Sequence, residues 1–260
     1  MNQQPNNSNP GFTLIELMLA MTFVSVLLIT IALTIIQMGT IYNRGMTLKE
    51  VNQASRDIAD DFRRSVASSP SFSVPETTIS TADTTDYVII ANPDRTTIYG
   101  GRLCMGNYSY IWNTAKALQA DTANNDQHIT RYRSQSGQDT PVHFMKSPDV
   151  GKKYCQKDTD GELLNKSIVQ SDAAEAVELL KPGDHSLGVL LFQAVSSQEA
   201  NDTTTGQRLY TFNYTIGSGD VSAMNQDQTA CLPPGNLSSN LTYCNVQKFS
   251  IVLRAGNGVN

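Results

Sequence analysis

Four cysteines, three histidines and one acid inside an apolar run are the residues of this 260-residue chain whose types and spacing could do chemistry. Cys104, Cys155, Cys231 and Cys244 all follow the apolar run, and an even set of cysteines in a body outside the cytoplasm suggests two disulfides. Four cysteines allow three pairings; we favour Cys231 with Cys244, which closes the Pro233-Pro234-Gly235 loop, and Cys104 with Cys155. Zinc is the competing chemistry, but there is no C-x-x-C and His128, His143 and His185 are scattered, so no metal is expected. The histidines also lack a neighbouring nucleophile or acid in a recognised arrangement, and no P-loop, nucleophile elbow or dinucleotide fingerprint occurs. Neither enzymatic activity nor a cofactor is expected.

Two fainter patterns read as structure. Asp158, Asp160 and Glu162 surround Gly161 as in a calcium loop, but the spacing fails the twelve-residue EF-hand pattern, and a polar turn is the better reading. Tyr108, Tyr110 and Trp112 alternate along one strand face, a row that could stack on a sugar or a base but is expected to pack in the core.

The acid is Glu16. Between Gly11 and Asn43 it is the only formal charge, and every other charged side chain lies from Arg44 onwards. The run from Phe12 to Met38 exceeds the roughly 20 apolar residues needed to span a bilayer as a helix. A carboxyl four residues into such a run is unfavourable in hydrocarbon, and that makes it a functional candidate. A secretory signal peptide would have a shorter apolar stretch, a basic start and a small-residue cleavage site; none is present.

Gly11-Phe12-Thr13-Leu14-Ile15-Glu16-Leu17 resembles the cleavage and methylation motif of type IV prepilins and pseudopilins. The resemblance implies a leader over 1–11 that a prepilin peptidase removes between Gly11 and Phe12, N-methylation of Phe12, and pairing of Glu16 with a neighbouring subunit's Phe12 amine. The segment 12–43 is then the transmembrane and filament-assembly helix, and 44–68 is the amphipathic half of the same helix. Counted alone, Arg44, Lys49 and Arg56 after the span would place the body in the cytoplasm. The peptidase motif and the cysteines take precedence and place it outside, as a single-pass protein of the cytoplasmic membrane.

Past the span the helix continues without proline to Pro70, with Leu48, Val51, Ala54, Ile58, Phe62 and Val66 at steps of three and four. Glu50, Arg56, Asp57, Asp60, Asp61 and Arg64 are assigned to the other faces. Residues 69–260 read as a mainly β domain. Strands are expected over 87–91, 96–99, 103–112, 129–133, 142–145, 187–195, 209–216 and near 249–253, with a capped helix at Asp172–Leu180. The fold class is α+β: a long N-terminal α-helix packed on an antiparallel β-sheet body, as the resemblance to pilins also implies.

A net charge of −5 argues against nucleic acid as a partner. The expected role is a minor pilin or pseudopilin, most like the PilW or GspJ type, in a surface or periplasmic filament. Its partners would be prepilin peptidase, other pilins or pseudopilins, the pilus assembly platform and the membrane. The chain less its leader is large for a major pilin, which favours a low-copy subunit. Alternatives are a filament-displayed adhesin or DNA-uptake module using loops 113–127 and 217–245, a pseudopilin of type II protein secretion, and a signal-anchored enzyme.

Overall fold

The structure, a computed structural model, describes residues 11–74, 86–91, 97–121, 128–165, 167–169, 175–180, 186–196, 206–240 and 242–256. The chain divides into two units, Met1–Asn43 and Arg44–Asn260.

One helix, α1 (Leu14–Ala67), begins in the first unit and ends in the second. No proline interrupts it. Its last turn tightens, with the Ser69 N–H on the Val66 carbonyl at 3.1 Å, and Pro70 cannot continue it. In the first unit every residue from Gly11 to Tyr42 is exposed, and the most apolar 18-residue stretch has a mean hydropathy of 2.6. Among the described residues α1 is the one helix long and apolar enough to cross a membrane. The hydroxyls of Thr22, Ser25, Thr30, Thr34 and Thr40 each donate to a carbonyl three or four residues back, at 2.8–2.9 Å. No hydroxyl proton of these five is left for an apolar surrounding to oppose.

In the second unit α1 buries Thr47, Val51, Ser55, Ile58, Ala59, Phe62, Ser65 and Val66. Two assignments from periodicity change here. Leu48 is 39% exposed, and Thr47 takes its place on the buried stripe. Asp61 belongs to the packed side, because Tyr110 and Lys146 reach its carboxylate.

Among the described residues the body has eleven strands: β1 (Tyr87–Ala91), β2 (Ile98–Met105), β3 (Tyr108–Asn113), β4 (Arg131–Arg133), β5 (Asp139–Pro141), β6 (Phe144–Pro148), β7 (Ile168–Val169), β8 (Val177–Glu178), β9 (Leu187–Ser196), β10 (Arg208–Ser218) and β11 (Val246–Ala255). A short helix, α2 (Ala115–Ala120), follows β3 and is capped by the Thr114 hydroxyl. The strands make an antiparallel sheet β1-β2-β3-β6-β8, an antiparallel sheet β11-β10-β9, and a small sheet β5-β4-β7 in which β4 and β7 run parallel. The fold is α+β, with antiparallel sheets dominant.

Phe62 of α1 is the hub of the main core. Its ring centroid lies 4.5 Å from Tyr110, 6.1 Å from Phe144, 5.7 Å from Phe192 and 5.1 Å from Phe212, so one side chain joins the helix to both larger sheets. The opposite face of the five-stranded sheet buries Val88, Cys104, Ile111 and Met145 against Tyr154, Cys155 and Ile168. Alternation along β2 and β3 sends Leu103, Tyr110 and Trp112 to the first core and Cys104 and Ile111 to the second.

The segment 103–112, read from sequence as one strand, is a hairpin. Gly106 turns it at φ +54°, a conformation that glycine adopts without strain. Gly101 is required for packing: a Cβ there would sit 2.2 Å from the Trp112 ring. The helix expected at Asp172–Leu180 is overturned: its described part, 175–180, holds no helix, and Val177–Glu178 pair as β8 with β6 through Met145↔Glu178 and Lys146↔Val177. Residues 172–174 lie outside the described residues. Here a long-range partner overrides a local capping pattern.

Candidate functional site

The N-terminal start of α1 is built by a reciprocal cap. The Glu16 Oε2 accepts from the Thr13 N–H at 2.9 Å and from the Thr13 hydroxyl at 2.9 Å, and the Glu16 N–H points back to Thr13 Oγ1 at 3.4 Å. This is the T-x-x-E capping box, a signal present in the sequence that the reading of Glu16 as a membrane acid passed over. Both contacts to the carboxylate fall on Oε2, so Oε1 remains open to a further donor. Gly11, Phe12 and Thr13 precede the helix, and all are exposed. Gly11 and Phe12 thus lie just before the cap and Glu16 in the first turn of α1, at the start of the apolar segment. Residues 1–10 of the expected leader lie outside the described residues.

The cysteines form two separate bridges. Cys104–Cys155 spans 51 residues with a Cα–Cα distance of 6.2 Å, and Cys231–Cys244 spans 13 with 5.9 Å. The first joins β2 to a short 3-10 turn, Lys153–Cys155, inside the second core. Arg102, next to Cys104, is fully buried and donates to the carbonyls of Tyr154, at 2.8 Å, and of Asn165. Burial lowers its pKa to about 10, with Tyr154 and Asp149 opposing that shift, so the guanidinium stays charged at neutral pH. Disulfide and guanidinium together fix the loop 149–165 to the sheet.

A polar cluster holds α1 to the five-stranded sheet. The Tyr110 hydroxyl donates to Asp61 Oδ2 at 2.5 Å, and Lys146 Nζ reaches Asp61 Oδ1 at 3.0 Å and Ser65 Oγ at 2.9 Å. Burial, reinforced by Asp61, pushes the Tyr110 phenol above its ordinary range, so it remains a neutral donor. Such a cluster satisfies buried polar groups; it presents no nucleophile to solvent.

The remaining sequence candidates are used locally. Asp158 Oδ1 accepts from the N–H groups of Asp160 and Glu162, at 2.9 and 2.8 Å, which makes 158–162 a polar turn about Gly161. Tyr110 and Trp112 are buried at 0% and 1% exposure, and only Tyr108 of that row reaches solvent, with Lys146 Nζ 4.1 Å from its ring centroid. His128 lies beside Tyr99, His143 shares a hydrogen bond with the Leu187 carbonyl at 3.0 Å, and His185 lies outside the described residues. Within the described residues of the expected loops, 115–120 is α2, and 217–245 contains a 3-10 turn at Val221–Ala223 and the second disulfide. Two clefts of about 210 and 460 Å³ lie near Trp112 and His143. The larger lining holds Ser186 and His143 together with Asp121 and Asp220, but His143 Nδ1 meets the Leu187 carbonyl, and among the described residues no hydrogen bond joins Ser186 to His143.

Sequence reasoning missed Glu178. Its Oε1 and Oε2 accept from the N–H groups of Phe144, at 2.5 Å, and His143, at 3.1 Å, where β6 begins. Burial raises its pKa to about 7, against the lowering pull of those N–H donors. Compared with known proteins, the chain matches no family model, no curated protein and no solved structure.

Proposed function

We propose that the chain is a minor pilin or pseudopilin, a structural subunit and not an enzyme. It is held in the cytoplasmic membrane by Phe12–Asn43, and its disulfide-bonded body faces out of the cytoplasm. Prepilin peptidase cuts between Gly11 and Phe12, and the assembly platform adds the subunit to a filament of other pilins. The observation that supports this most strongly is the Gly11-Phe12-Thr13-Leu14-Ile15-Glu16 sequence at the head of one uninterrupted helix whose first part exposes apolar side chains all round.

Physical chemistry gives each part a task. Cleavage frees an amine at Phe12, a cation that Oε1 of a neighbouring subunit's Glu16 meets inside the helical bundle. A charge buried in an apolar surrounding is tolerated when paired and strongly disfavoured when not. The exposed apolar half of α1 is then covered twice, first by lipid and later by neighbouring helices.

Glu16→Ala tests this reading. The substitution makes the span more apolar, so the membrane level of the protein is expected to stay at wild-type level or rise. Filament incorporation is expected to fall more than about tenfold, since breaking a buried pair by removing one partner costs about 3–5 kcal/mol. Equal incorporation of variant and wild type would remove Glu16 from assembly.

A further inference from the structure

Of the sheet edges among the described residues, most are blunted. β5, β7 and β8 are two or three residues long, and β1 has five with an irregularity at Ile90/Ala91. β9 is long but met along its length: Thr114 bridges to Val189, Tyr87 donates to the Phe192 carbonyl, and His143 meets the Leu187 carbonyl. β11 is different. Its ten residues pair with β10 from Arg208↔Ala255 to Gly217↔Val246 without a shift in register, and it contains no proline. Long, flat, unbroken edges are what folded proteins usually avoid.

Two hydrogen bonds fix which β11 groups face outward. The Ser218 N–H donates to the Asn245 carbonyl at 3.0 Å, which makes that pair a hydrogen-bonded one. By alternation Gln247, Phe249, Ile251, Leu253 and Ala255 bond to β10, and the even-numbered residues turn their N–H and C=O away from it. Gly256 agrees with this parity, since its N–H leaves the sheet for the Ser69 carbonyl at 3.0 Å. The outward set is therefore Val246, Lys248, Ser250, Val252 and Arg254. From Lys248 to Arg254 the side chains of this set are also the exposed ones, whereas Phe249, Ile251 and Leu253 pack against the main core. The Cys231–Cys244 bridge pins one end of the strand and the Gly256 bond pins the other, so the edge is held ready.

Charge selects the occupant. β9, β10 and β11 carry Arg208, Lys248 and Arg254 and no Asp or Glu, in a chain of net charge −5. A second copy pairing antiparallel about Ile251 would set Lys248 opposite Arg254, a repulsive match. We propose that the β11 edge is a docking site for an extended segment of another protein. That segment adds as an antiparallel or parallel strand, with apolar residues over Phe249, Ile251 and Leu253 and carboxylates facing Lys248 and Arg254. Main-chain hydrogen bonds supply the ladder and the two cations set the choice of segment. This holds whether or not the chain enters a filament.

The test is residue-resolved amide exchange on the full-length protein in detergent micelles. The probe is a nine-residue peptide, Ser-Glu-Val-Thr-Val-Thr-Val-Glu-Ser, whose two Glu residues have the spacing of Lys248 and Arg254. Exchange at Ser250 and Val252 is expected to slow about tenfold or more, while the already bonded Phe249 and Ile251 amides are unchanged. The same peptide with Lys for Glu is expected to give no slowing. The double variant Lys248→Glu, Arg254→Glu is expected to reverse the preference, and Ser250→Pro, which removes an outward N–H and leaves the β10 ladder intact, to abolish it. No slowing with the acidic peptide, or equal slowing with both peptides, overturns the proposal. So does slowing that grows with the protein's own concentration in the absence of peptide, which would assign the edge to a second copy.

Discussion

The two parts of α1 have the same backbone and opposite surfaces. From Gly11 to Tyr42 apolar residues surround the helix and all are exposed; from Thr47 to Val66 they form a stripe, and most of that stripe is buried. The second part finishes its folding inside the chain, since Phe62, Ile58 and Val51 find their partners in the body. The first part leaves its apolar surface uncovered, and it is long and apolar enough to cross a membrane. Helix formation is the same in both; what differs is where the apolar surface goes.

Truncating the hub tests the contrast most strongly. Phe62→Ala is expected to destabilise the body by about 3–5 kcal/mol, the usual loss for a buried aromatic ring, read by denaturant unfolding of the full chain in detergent. Phe23→Ala, equally apolar but 67% exposed, is expected to leave that unfolding midpoint unchanged. Comparable losses at both positions would erase the distinction.

A smaller effect concerns the staple of the second core. Replacing Cys104 and Cys155 by Ala is expected to cost about 2–4 kcal/mol, since the bridge closes a long loop. The same pair of changes should loosen the Arg102 contacts, seen as faster amide exchange in 149–165, and leave α1 unaffected.

The smallest effect is a pH dependence at Glu178. Its folded pKa, about 7, lies above the unfolded value of 4.5. Below 4.5 both states hold the proton; between 4.5 and 7 the unfolded state loses it first, so this group's contribution to stability falls as pH rises and levels off above 7. The change is on the order of 1–3 kcal/mol. Carboxyl NMR should give Glu178 a midpoint near 7; a midpoint near 4.5 would mean the N–H donors outweigh burial.

How much of this was legible in the sequence depends on the range of the cause. The length of α1 follows from apolar content and the absence of proline between Pro10 and Pro70, both local. Strands β10 and β11 were readable because Tyr210, Phe212, Tyr214 and Phe249, Ile251, Leu253 alternate. Glu178 was not, since 172–180 has a helical pattern in the sequence, whereas Val177–Glu178 pair as a strand with β6. Asp61 was assigned outward because charge usually is; Tyr110 and Lys146, far away in sequence, turn it inward. For α2, Ala115–Ala120 is rich in helix formers behind a Thr114 cap, but six residues are too few to stand out. That β11 is an edge depends on sheet order, which alternation does not encode.

Under the proposed function prepilin peptidase leaves Phe12 as the first residue of the mature chain. Mass spectrometry of the protein isolated from membranes or filaments reads this directly. The account expects a mature N-terminus at Phe12, carrying a methyl group, with residues 1–11 gone. A protein that still carries Gly11 and the residues before it in assembled filaments would contradict it.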